Sequence, residues 1–159
     1  SDHVTAVASI TLATQALYGG PIITWSAATT LYSYNSGSTV VTGDTSAGIL
    51  TLPTAASAGD GWYVDVRIHH DQASNATHIT VPDGYFIGGV TVIDKDGAGD
   101  DLFFASDGDS NDYINLDDET KGNDPGGHIR ISCDGTNWLV SGLLVGNGSL
   151  ATPFADAES

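Results

Sequence analysis

The period of the apolar residues constrains this chain more than any other feature. Over residues 62–68, Trp62, Val64, Val66 and Ile68 fall on one side of an extended backbone, with Tyr63, Asp65, Arg67 and then His69 on the other. One side is core, and the other is wet or makes contacts. Just upstream, an apolar strand over residues 49–52 stops at Pro53, and a connector of small residues, 54–61, leads into Trp62. The same two-residue period returns where Ile129, Ile131 and Cys133 alternate with His128, Arg130 and Ser132. No window spaces apolar residues at i, i+3, i+4 and i+7, and β-branched residues and glycine dominate throughout. The expected fold is therefore all-β, an antiparallel β-sandwich or barrel of short strands with turn signals every 8 to 12 residues.

Taken in order, residues 1–20 form an N-terminal arm or first strand in which Val4, Ala6, Ala8, Ile10 and Leu12 share one side, broken by Gly19-Gly20-Pro21. A β-sandwich domain is expected over 21–145. Its β-prone runs lie at 22–25, 29–34 and 38–42, then in the pair already described, then at 78–81 and 85–93, where Gly88-Gly89 signals a bulge or a close backbone approach. Residues 94–124 read as an acidic insert, Gly/Asp/Asn-rich loops around two short apolar pieces at 102–104 and 113–116. Asp134-Gly135-Thr136-Asn137 turns a final hairpin into Trp138. Residues 146–159 form a C-terminal tail, loose unless a neighbour holds it.

With 20 acidic residues against Arg67, Lys95, Lys121 and Arg130, the formal charge is -16. Such a surface repels phosphate backbones and anionic membranes, so neither nucleic acid nor a membrane is an expected partner. No apolar stretch approaches the roughly 20 residues that span a bilayer. A soluble protein is expected. Ser1 suits removal of an initiator methionine ahead of a small residue. Cys133 is the single cysteine, which rules out an intrachain disulfide and leaves stability to packing or oligomerisation.

No catalytic constellation stands out, and the chain is not expected to be an enzyme. Cys133 alternates with Ile129 and Ile131, the place of a buried inert thiol. Asp100-Asp101 and Asp117-Asp118 are the carboxylate pairs an acidic chain produces by chance. His69 and His70 point to opposite faces of a strand, which disfavours a shared metal ion with His78. The best metal candidate is calcium. Asp107, Asp109 and Asn111 stand at loop positions 1, 3 and 5 and Asp118 at 12, although Asp112 occupies the position where the sharp turn wants glycine. A solvated acidic loop without cofactor is the competing reading. Trp25, Tyr32 and Tyr34, in a Ser/Thr-rich stretch, are candidates for stacking on a sugar or for an interface.

Several of these pieces together resemble the small β domains of tailed-phage virion proteins, found in tail fibres and in capsid decoration or head-fibre proteins. The pieces are the strand end at 50–53, the Ala/Gly connector at 55–61, the aromatic-led strand at 62–68, Gly88-Gly89, and the closing hairpin Ser132-Cys133-Asp134-Gly135-Thr136-Asn137-Trp138-Leu139-Val140. They span about two thirds of the chain, and the acidic segment 94–124 departs from the pattern. The resemblance implies a structural virion protein and a homotrimer. Without a repeat or shaft, a capsid decoration (cement) protein is expected, bound at three-fold positions outside a phage head assembled in the host cytoplasm. Its partner would be the major capsid protein, met through the arm. The alternative is a tail-fibre or spike module that recognises host surface glycan.

Overall fold

A computed structural model describes residues 20–43, 47–71, 77–97 and 99–156. The all-β, sandwich-like expectation holds. Among the described residues twelve strands form two sheets: β1 (Ile22–Trp25), β2 (Thr29–Thr30), β3 (Ser38–Thr42), β4 (Ile49–Thr51), β5 (Tyr63–Arg67), β6 (His78–Thr80), β7 (Phe86–Asp94), β8 (Leu102–Ala105), β9 (Tyr113–Asn115), β10 (Asp124–Cys133), β11 (Trp138–Gly146) and β12 (Phe154–Ala155). The large sheet has the order β1-β3-β5-β10-β11-β7-β8, and the small one β12-β9-β6-β4-β2. One short helix, α1 (Ala55–Ala58), interrupts the connector between β4 and β5.

The sheets are mixed, not purely antiparallel. From β1 to β6 the chain alternates between them strand by strand, so β1, β3 and β5 pair in parallel in one sheet while β2, β4 and β6 do so in the other. After β6 the strands lengthen: β7, β10 and β11 run 9 or 10 residues. The β10–β11 hairpin is antiparallel, as the Asp-Gly turn predicts, and Asp134 Oδ1 accepts the amides of Thr136 and Asn137 at 2.9 and 2.7 Å.

Between the sheets lies one core, whose inward residues are those picked out by alternation: Val64, Val66 and Ile68 from β5 and its end, Ile129, Ile131 and Cys133 from β10. Trp62 and Trp138 meet edge to face with ring centroids 5.5 Å apart. Each indole N–H reaches a loop carbonyl, Trp62 donating to Tyr32 and Ser33 at 3.3 and 3.1 Å and Trp138 to Asp83 at 3.2 Å. The two rings thus tie connectors down as well as filling space. At Gly88 a Cβ would collide with the carbonyl oxygen of Val140, which is the close approach the glycine pair signals.

Segment 94–124 is not an appendage. It supplies β8 at the edge of the large sheet and β9 inside the small one, with Ile114 and Leu116 fully buried. The tail is held in turn: β12 pairs with β9 and Phe154 is 6% exposed. Among the described residues no helix is long and apolar enough to cross a membrane.

Candidate functional site

Outward-facing residues of the large sheet form the most distinctive surface. The pairing registers place Tyr63, Asp65 and Arg67 of β5 beside Ser132, Arg130 and His128 of β10, and these beside Leu139, Ser141 and Leu143 of β11. Next come Ile87, Gly89 and Thr91 of β7, then Phe103 of β8 opposite Thr91. The centre of this face is polar. Arg130 grips Asp65 with two parallel bonds, Nε to Oδ1 at 2.9 Å and a terminal nitrogen to Oδ2 at 2.8 Å, while its guanidinium carbon lies 4.7 Å from the Tyr63 ring centroid. His128 Nε2 lies 3.4 Å from the same carboxylate. The hydrogen bond from Arg130 holds the Asp65 carboxyl below its ordinary range; burial opposes this and His128 assists.

The far side of the face is apolar. Leu139 and Leu143 are each 41% exposed and Phe103 66%. Half-buried Ile87 lies beside Leu139. The Phe103 ring lies over Gly89, where a Cβ would sit 2.5 Å from it, so the missing side chain is the seat of the phenyl ring. Exposed apolar residues grouped on one face in this way make it a candidate for contact with another molecule.

The residues singled out in the sequence divide among several places. Val4, Ala6, Ala8, Ile10 and Leu12 lie outside the described residues. Trp25 is fully buried in the core, which corrects its reading as an accessible aromatic: as the last residue of β1 it turns inward with Val40 and Leu50. Tyr32 and Tyr34 are exposed and stacked, with centroids 5.4 Å apart and planes 17° from parallel. Tyr32 caps and Tyr34 lies within a 3-10 turn, Ser33–Asn35, whose Ser33 carbonyl accepts the Trp62 indole and whose Asn35 side chain accepts the Tyr32 amide at 2.8 Å.

Of the four oxygen donors proposed for calcium, three share a loop and one does not. Asp107 Oδ1 accepts the amides of Asp109, Ser110 and Asn111 at 3.0 to 3.2 Å, and Oδ2 accepts the Ser110 hydroxyl at 2.6 Å. These bonds, the Ser110 hydroxyl first, hold its carboxyl far below the ordinary range. Asn111 donates to Asp156 at 2.9 Å. Asp118 lies beyond β9 and caps a different turn, accepting the Thr120 amide and hydroxyl at 2.8 Å each. Among the described residues no three His, Cys, Asp or Glu side chains converge as a metal-binding group. Cys133 is buried, and desolvation pushes its thiol up, the state of an unreactive cysteine.

The apolar strip was not foreseen. Each strand showed its own alternation, but which outward residues meet depends on a parallel β7–β11 pairing that no turn announces. Gly89, over which the Phe103 ring lies, was the one available signal. Comparison with protein families, with curated proteins and with solved structures finds no match for the chain.

Proposed function

We propose that this chain is a structural virion module, a capsid decoration protein that binds the major capsid protein on the outside of a tailed-phage head and acts as a homotrimer. The single observation that carries the reading is the exposed strip of Ile87, Phe103, Leu139 and Leu143 on the large sheet. A chain of charge -16 repels most protein surfaces, its own copies included. The face bearing the strip also bears Arg67 and Arg130, two of the four cations, so it is where approach costs least. The motif order between residues 50 and 140 supports the virion assignment. Binding a lattice site only in the folded state would stabilise both partners by mass action.

The test mixes the purified chain with undecorated heads. Saturable binding at symmetric positions, abolished in Phe103→Asp while that variant keeps its melting temperature, is the expected result. Heads that take up none of the unaltered chain overturn the proposal. Sedimentation of the free chain gives the oligomer.

A second reading has its own observation, the exposed Tyr32–Tyr34 stack on a fixed turn. Flat paired aromatics suit a sugar face, as a tail-fibre or spike module recognising host glycan would require. Binding to host cells lost in Tyr34→Ala, with no uptake by heads, would favour it.

A further inference from the structure

Where β5 ends, Arg67 stands directly opposite His128 in the β5–β10 ladder, both on the outer face. With His69, His70 and the backbone of Gly126 and Gly127 they line a cleft of about 440 Å³. Its frame is fixed. The Ile68 amide donates to the Gly127 carbonyl and the Gly126 amide to the Ile68 carbonyl, both at 2.9 Å. Thr42 Oγ1, on a residue only 1% exposed, accepts the amides of His69 and His70 at 2.9 and 3.3 Å. Three of the four described histidines therefore line one hollow, while His78 lies on the small sheet.

Charge pairing makes the hollow unusual. Lys95 is held by Asp124 at 2.6 Å, Lys121 by Asp117 at 3.4 Å and Arg130 by Asp65 at 2.8 Å. Arg67, among the described residues, has no carboxylate at ion-pair distance, although carboxylates outnumber cations 20 to 4. Among the described residues no acidic side chain lines the cleft. Asp65, held by Arg130 at 2.8 Å, also lies 3.4 Å from His128 Nε2, which leaves Nδ1 of that ring for a ligand. Asp71 adds to the field on Lys95, whose ammonium is raised first by its hydrogen bond to Asp124. On either side, β3 brings Thr39 and Val41 to this face and β11 brings Ser141 and Leu143, none of them ionisable. An arginine without a carboxylate partner among the described residues, in so acidic a chain, is left for an anion from outside.

We propose that this cleft binds a compact oxyanion, a carboxylate or a phosphate monoester, gripped by the Arg67 guanidinium and by N–H donors of His128 and His69. The planar fork of arginine matches two oxygens of either group, and imidazole donates more strongly once protonated. The proposal goes beyond the assembly reading and does not rest on it, since its test needs only the isolated chain.

Histidine ring resonances of the full chain are followed by NMR at about pH 6, just below the ordinary imidazole pKa. Sodium phosphate and, separately, sodium acetate are titrated in at constant ionic strength against sodium chloride. Saturable shifts at His128 and His69, with His78 unmoved, are expected, and Arg67→Gln should bind roughly ten-fold more weakly, the loss of one charge-assisted contact. His128→Gln, an exposed and conservative change, should weaken binding too. Saturation by acetate assigns the site to carboxylates, and saturation by phosphate alone to phosphate esters. Shifts that chloride reproduces, that fail to saturate, or that persist unchanged in Arg67→Gln overturn the proposal.

Discussion

The chain before β7 is wound, and the chain after it is folded back. In the wound part, β1 to β6 have two to five residues each and pair in parallel with strands two elements away. Each makes few ladder bonds and no hairpin, so it gains almost nothing until its neighbours are in place. In the later part, β7, β10 and β11 are long, and the β10–β11 hairpin forms from residues close in sequence. The winding of the large sheet is laid against β10 through β5, whereas β10 also has β11 as a partner on its other side.

Core truncation breaks the comparison most severely. Trp138 is fully buried, packs on Trp62 and ties down the Asp83 carbonyl. Trp138→Ala should cost about 4 kcal/mol in urea unfolding, with amide protection lost in both halves together. Leu50, equally buried but on a three-residue strand, is the counterpart. Leu50→Ala should cost about 2 kcal/mol, and hydrogen exchange should quicken in β2, β4 and β6 while β10 and β11 stay protected. Equal loss of protection in both halves after Leu50→Ala would show the two to be one cooperative unit.

Acidification probes the junction itself, since Asp65 on β5 and Arg130 on β10 join the halves. The Asp65 pKa is lowered in the folded state, so its contribution is present above the unfolded carboxylate pKa and fades as the pH falls through the lower folded value. The unaltered protein should lose stability over that acidic window, and Asp65→Asn should lose less of it. The smallest effect is expected in the loop from β8 to β9. Because Asp107 spends its oxygens on neighbouring amides, a chelator should leave the melting temperature unchanged. A drop would reinstate calcium as a structural ion.

Strand positions were largely legible, pairing partners were not. Alternation at 62–68 and 129–133 marked core faces correctly because burial on one side imposes a period of two. The hairpin at 134–137 was legible because its turn residues carry their own hydrogen bonds. Parallel winding left no such mark, since its connectors cross from one sheet to the other and nothing in their sequence names the strand to be paired. Trp25 misled because a tryptophan among Ser and Thr looks exposed until β3 and β4 close over it. The acidic segment misled the other way: its charge made the apolar piece at 113–116 read as part of an insert, whereas Ile114 and Leu116 belong to the core. At the surface, Arg67 and His128 each stood out as outward-facing, but only the ladder register brings them face to face.

One feature of the winding reaches past any single residue. Among the described residues, β1 and β2 are the outermost strands of their sheets at the same end of the molecule, and Ile22 there is 73% exposed. Each pass of the chain repeats the one beneath it, as a screw thread repeats its pitch, and among the described residues no strand pairs beyond β1 or β2. An extended segment that met that edge would find the next turn of thread already cut.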